Sequence, residues 1–333
     1  MTDFRPAVRS AHRRIPATSA QRGGAGGQLR SELWMSATVA FVGLGNIGGR
    51  VVAHLVKAGH DVAVFDLNAA AVEAAVEAGA RAAVSAATAA EGADVVFLSL
   101  PTPAIVEAVV GEVLPCAQEG AVIVDHSTID PDTSRRLAAT ASAAGLSFLD
   151  APVSGGVQGA EAGTLAVMVG GEEAALAKVR ALLDTYAGSV VRVGDSGSGQ
   201  VVKLANNLIT AINIAALGEA LTTTVSQGVD LDTAVSVLTK SSANSNVLSN
   251  YFPRTLFTAE RPTGFALDFM HKDLGLFLSS AASGPIPLPL SNAVRDLFSI
   301  GRRLGRGGKD FTSVVEFYED FAGVRLQTEE AGK

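Results

Sequence analysis

Cysteine is nearly absent from this chain. Cys116 stands alone among 333 residues, so no intrachain disulfide can form, which suits a reducing compartment. Histidine is scarce as well. None of His12, His54, His60, His126 and His271 is spaced from another as metal ligands are, so no metal is expected and no catalytic triad is evident. Uncharged apolar runs of about 18 residues, the length a membrane span needs, are missing too. The most apolar long stretch, Leu204 to Val225, is interrupted by Asn206, Asn207, Asn213 and Glu219 and reads as a buried helix. A net charge of -7 argues against a nucleic-acid partner. No tandem repeat is visible. What remains is 48% hydrophobic and 18% charged, enough for a large core, in a chain long enough for two domains.

Residues 1–35 differ from the rest. Arg5, Arg9, Arg13, Arg14, Arg22 and Arg30 face only Asp3 and Glu32, and the glycines of 23–27 cannot hold a regular element. The stretch reads as a disordered extension rather than an organelle transit peptide, and a cytoplasmic location is expected. From Thr38 onward, short apolar runs alternate with helical patterns. Strands are expected over 39–42, 62–65, 95–100, 121–124, 147–149, 165–169 and 190–193. Helices between them imply parallel βαβ units in a doubly wound sheet. The period changes after Gly199. Val201 to Gln227 is one long helical pattern closed by Gly228, and helical pieces broken by glycine and proline follow. The expected class is therefore α/β: a sheet domain over 36–198, an all-α domain over 199–326 and a short tail over 327–333.

The first strand runs into Gly43-Leu44-Gly45-Asn46-Ile47-Gly48. A lone GxGxxG is weak, but here a strand precedes it, a helix follows it and Asp66 ends the next strand. In that setting Gly43 permits the tight turn, Gly45 lets the backbone approach a pyrophosphate and Gly48 lets helix and strand pack closely. The anion would sit on the helix N-terminus. The pattern is a Rossmann dinucleotide fingerprint. Asp66 is placed to bond ribose hydroxyls and would repel a 2′-phosphate, and Leu67 and Asn68 offer no compensating arginine, so NAD is preferred over NADP.

Three further motifs follow in order: Asp150-Ala151-Pro152-Val153-Ser154-Gly155-Gly156, then Gly197 to Asn207 around Lys203, then Lys272-Asp273-Leu274-Gly275-Leu276. With the fingerprint, they resemble the β-hydroxyacid dehydrogenases, the family of 3-hydroxyisobutyrate dehydrogenase and tartronate semialdehyde reductase, over about 39–321. The resemblance implies that Lys203 is the catalytic lysine and that Asn207 helps hold the substrate. It implies that Ser154, Gly155 and Gly156 bind the substrate carboxylate and that Lys272 reaches the nicotinamide cofactor. Leu100, Pro101 and Thr128 match segments flanking that cofactor. Ile105 stands where an asparagine often contacts the cofactor, His126 and His271 where smaller or apolar residues are usual, and Ser241 to Phe252 matches no particular subfamily. Relatives pair through the helical domain, so a homodimer or homotetramer is expected. The all-round apolar character of the long helix points the same way.

The chemistry implied is hydride transfer between a nicotinamide and a small 3-hydroxy acid or its semialdehyde. Such an oxidation needs a base for the hydroxyl proton. A free lysine, with a pKa of about 10.4, is a poor base at neutral pH, so burial or a nearby cation has to lower it. Lys203 and Asn207 are four apart and share a helix face. A lysine near a helix start more often reaches solvent, and Lys272-Asp273 alone could be a surface ion pair. An imine reductase, or a cofactor-binding scaffold without catalysis, is the competing reading. Both commonly replace the lysine that this chain keeps. A 6-phosphogluconate dehydrogenase would need a larger helical domain.

Overall fold

A computed structural model describes residues 37–328 other than Ser283, so the expected extension and most of the tail lie outside the described residues. The first part alternates as β1 (Thr38–Val42), α1 (Gly48–Lys57), β2 (Asp61–Phe65), α2 (Ala69–Glu77), β3 (Arg81–Ala82), α3 (Ala86–Ala90), β4 (Val95–Leu98), α4 (Pro103–Val113), β5 (Val122–Asp125), α5 (Pro131–Ala143) and β6 (Ser147–Asp150). These strands pair in parallel in the order β3-β2-β1-β4-β5-β6. Both faces are covered, so the strands are apolar throughout: Val39, Ala40, Phe41, Val95, Val96, Phe97 and Leu98 are all fully buried. Each large side chain among them stabilises the fold by about 1.5–3 kcal/mol. Helix starts are capped as the sequence allows. Asn68, Thr102 and Asp130 each accept a first-turn backbone N–H, and a proline stands in the first turn of α4 and α5.

The sheet then departs from the wholly parallel expectation. β7 (Val153–Ser154), α6 (Gly156–Ala162), β8 (Leu165–Gly170), α7 (Glu173–Leu183) and β9 (Ala187–Gly194) follow. β8 runs antiparallel to β6 and β7, and only β9 is parallel to it. The reason is chain length. Two residues separate β6 from β7, and the seven-residue α6 is too short to carry a parallel crossover, so the chain folds back on itself. The fourth strand also stops earlier than its apolar run, because the N–H of Leu100 turns to Ser127 Oγ, 2.8 Å away.

The second part is helical: α8 (Ser198–Ser226), α9 (Leu231–Leu238), a π-helical turn (Val247–Tyr251), α10 (Leu267–Ala281), α11 (Pro289–Arg303) and α12 (Glu316–Ala322). α8 starts three residues before the expected Val201, which puts Lys203 in its second turn rather than at its opening. By length and composition α8 could cross a membrane. Here it packs on β8, α10 and α11, and Ala211, Ile214, Leu217 and Leu221 join a core with Phe252, Leu274 and Phe298.

Candidate active site

The fingerprint loop lies between β1 and α1, beside the end of β4. Strand order reverses between β1 and β4, the place where open α/β sheets hold ligands. Gly43 has φ 98°, and a Cβ there would strike the backbone of Ser99, so only glycine fits. A Cβ on Gly45 would meet nothing within 4 Å, so this backbone is bare toward solvent. Asn46 is exposed and Ile47 half-buried, and α1 begins at Gly48. The Asp66 carboxylate accepts the N–H of Leu44 at 2.6 Å and of Asn68 at 2.7 Å, which pins it to the loop while leaving it half-exposed. An open glycine turn, a helix N-terminus and a fixed carboxylate fit the diphosphate and ribose of a dinucleotide. Leu100 and Pro101 border the loop from the end of β4. Ile105 is partly exposed in the first turn of α4, where its N–H bonds Thr102 Oγ1.

A second group forms where α8 meets α10 and the β5–α5 loop. The Nζ of Lys272 donates to the backbone carbonyl of Thr128 at 2.6 Å and lies 3.1 Å from Asp273 Oδ1. The Nδ2 of Asn207 donates to Asp273 Oδ2 at 2.7 Å, and Asn206 Nδ2 donates to Asn207 Oδ1 at 3.1 Å. Asp273 is only 1% exposed, so this is no surface ion pair. Its Oδ1 has the Lys272 charge nearby but no aligned hydrogen bond. Lys203 is half-buried beside these groups. Burial brings its pKa down to about 8. The Asp273 charge opposes that shift and the Lys272 charge adds to it.

Ser154 ends β7, Gly156 begins α6 and Gly155 joins them. Gly155 and Gly156 take φ 132° and 62° and are exposed, so their N–H groups are approachable. Among the described residues no hydrogen bond links them to the Lys203 group. The two pieces stand on neighbouring elements, since α8 packs against β8, the partner of β7.

The ends of β5 and β6 carry three buried titratable groups. Asp125 and Asp150 are cross-strand partners with no exposure. Burial pushes Asp125 up to about 7, against bonds from Ser127, with the Asp150 charge raising it further and Lys272 lowering it. Asp150 is likewise raised by burial to about 6, against the backbone N–H groups of 197–200. His126 falls to about 4 through burial. Its Nδ1 lies 2.6 Å from the carbonyl of Ala151, which can only accept, so Nδ1 carries the proton. Nε2 then accepts from Tyr186 OH at 2.7 Å. That pairing, with Phe97 stacked on the ring, accounts for a histidine in an otherwise apolar place. His271 is explained similarly by Ser299 Oγ, 3.0 Å from its Nε2.

The motifs alone gave Asp273 no role. A signal existed: on α10 it falls in the buried stripe of Leu267, Met270 and Leu274, where a carboxylate needs a partner.

The chain is similar to known proteins over most of its length. Residues 38–194 match the NAD binding domain of 6-phosphogluconate dehydrogenase, and residues 197–318 match the NAD-binding domain of NADP-dependent 3-hydroxyisobutyrate dehydrogenase. The 3-hydroxyisobutyrate dehydrogenase of Pseudomonas aeruginosa is 40% identical over 291 residues, covering 84% of this chain and 98% of that protein. The chain belongs to the β-hydroxyacid dehydrogenase family. Another member, 2-(hydroxymethyl)glutarate dehydrogenase of Eubacterium barkeri, is 38% identical over 87% of this chain and 98% of its own length. The Mycobacterium tuberculosis 3-hydroxyisobutyrate dehydrogenase, solved with L-serine, superposes with a TM-score of 0.78 at 34% identity, covering 85% of this chain and 99% of that one. Solved imine reductases at 19% identity share the fold alone. This family member is thus an NAD(P)-dependent oxidoreductase, with a nicotinamide-binding sheet part followed by a helical part.

Proposed function

We propose that this dehydrogenase interconverts a small 3-hydroxy acid and its semialdehyde, with Lys203 as the general acid and base. The observation that carries the reading is the environment of Lys203: half-buried, next to the Asn207–Asp273–Lys272 group, with a pKa near 8. The nicotinamide, when bound, supplies the hydride acceptor or donor. At pH 7 about one Lys203 in ten is then neutral and can take the hydroxyl proton, and the remaining ammonium groups can give one to the forming alcohol. Asn207 is oriented by Asp273 and Asn206 and holds the reacting hydroxyl. Ser154, Gly155 and Gly156 offer a hydroxyl and open backbone N–H groups to a carboxylate. Gly43, Gly45, Asn46, Ile47, Gly48, Asp66, Leu100, Pro101, Thr128 and Lys272 border the cofactor.

The two relatives named for a substrate suggest its shape, since hydroxyisobutyrate and (hydroxymethyl)glutarate both carry a CH2OH one carbon from a carboxylate. The test is nicotinamide absorbance with 3-hydroxyisobutyrate, 3-hydroxypropionate, glycerate, serine and 2-(hydroxymethyl)glutarate. Turnover of at least one supports the reading, and turnover of none sinks it. NAD is the preferred cofactor in this proposal because the pinned Asp66 carboxylate faces the 2′ position with no arginine at 67 or 68. Asp66→Ala should therefore narrow the NAD-over-NADP ratio of kcat/KM by about tenfold or more, one lost charge interaction of about 1.4 kcal/mol. Faster turnover with NADP by the unmodified protein would contradict the assignment.

A further inference from the structure

A buried polar latch lies under the Lys203 helix. Asp150 ends β6, and its carboxylate accepts the N–H of Gly197 at 2.7 Å and of Gln200 at 3.1 Å. These are groups that a helix start leaves without partners, and a carboxylate suits that end of the helix dipole. The seat is fitted closely. A Cβ on Gly199 would lie 2.6 Å from the Asp150 carbonyl, and one on Gly170 2.6 Å from its Oδ2, so the first turn of α8 touches the sheet without a side chain between them.

Gln200 then reaches the other way. It is fully buried, its Nε2 donates to the carbonyl of Ser127 at 2.8 Å, and its Oε1 accepts the N–H of Ile129 at 3.2 Å. One amide thus reads a donor and an acceptor on either side of Thr128. The carbonyl of Thr128 holds Lys272, and Ser127 Oγ holds the N–H of Leu100. Gln200, Lys203 and Asn207 lie at spacings of three and four, on one side of α8. Hydrogen bonds and one ion pair therefore form a circuit that leaves α8 at Gln200 and returns to it at Asn207, with Lys203 between them in the chain: Gln200 to the 127–129 loop, the loop to Lys272, Lys272 to Asp273 by charge, and Asp273 to Asn207.

We propose that Gln200, seated on Asp150, is the positioning residue that sets Lys203 in register with the 127–129 loop and Lys272. It touches neither cofactor nor substrate and acts through the helix and the loop. The proposal rests on the dehydrogenase reading given above.

The test uses the full chain, with activity expressed per NADH bound in a fluorescence titration. Gln200→Met keeps the length and loses both bonds. It should lower kcat by about 10- to 100-fold, the cost of a small misplacement, with substrate KM within about threefold. Burial is the main influence that lowers Lys203, so a displaced α8 that buries it less should move the pH limb of alcohol oxidation upward, toward the ordinary lysine value. Gln200→Glu keeps the acceptor, and as a neutral acid it also offers a donor. Its activity relative to the unmodified protein should therefore recover as pH is lowered. A residue needed only for folding would change the melting temperature and leave kcat per bound NADH and the pH limb alone, and that result overturns the proposal. Failure of both variants to fold overturns it equally, in favour of a structural role. No turnover by the unmodified protein with any 3-hydroxy acid refutes the dehydrogenase reading and this proposal with it. An active unmodified protein beside an unchanged Gln200→Met refutes the proposal alone.

Discussion

Lys203 is governed by three influences of differing sign. Burial lowers its pKa most, Lys272 lowers it further and Asp273 holds it up. Asp273→Asn removes the only one that favours the charged form. The alkaline requirement for alcohol oxidation should therefore relax, with the kcat limb moving below about pH 8. The same change loosens Asn207, whose amide loses a charged acceptor, so kcat should also fall by about 10- to 100-fold. A pH series of kcat checks both effects, and an unmoved or raised limb would contradict the assignment of charges. Lys203 and Asn207 were readable as candidate site residues because their helical spacing and motif survive in one dimension. Asp273 was not, because its role depends on α10 laying it against α8, a contact between residues 66 apart.

The strand ends are where the fold stores titratable charge. Asp125 and Asp150 close adjacent parallel strands, and Asp125 Oδ2 is buried without a hydrogen-bond partner. The native carboxyl of Asp125 titrates near 7 and the unfolded one near 4, so the native state keeps a proton that the unfolded chain has released. Its contribution to stability therefore declines as pH rises from about 4 to about 7. Asn is a neutral mimic of the protonated form. Thermal melts of Asp125→Asn should show its advantage over the unmodified protein growing from pH 5 to pH 8. A gap independent of pH would contradict the buried, shifted carboxyl. His126, neutral in the native state, pulls the other way but is common to both proteins and cancels in the difference. At this scale the sequence was legible where apolar runs meet strong punctuation, as at β1, β2, β4 and β5. It was less so at β7, too short to show a period, and at the antiparallel return of β8, which is set by connection length rather than by side-chain pattern.

Across the whole molecule, α8 belongs to both parts: its first turn is seated on the sheet and its remainder is the spine of the helical core. It also leaves Val202, Ile209 and Ala216 exposed at intervals of seven, Ile209 by 59%. A stripe of that spacing suits a second helix, and a second copy of this chain is the partner proposed for it. Sedimentation at micromolar concentration should give a dimer or tetramer, and Ile209→Glu should shift it toward the monomer. A monomeric unmodified protein would refute this. The central claim concerns Lys203, and kcat for 3-hydroxy-acid oxidation against pH, in the unmodified protein and in Lys203→Ala, tests it most directly. The account predicts a limb near pH 8 in the unmodified protein. In the variant it predicts intact NADH binding, a loss of about 10²- to 10⁴-fold in kcat and no such limb. Equal turnover in the variant, or the same limb in both proteins, would contradict it.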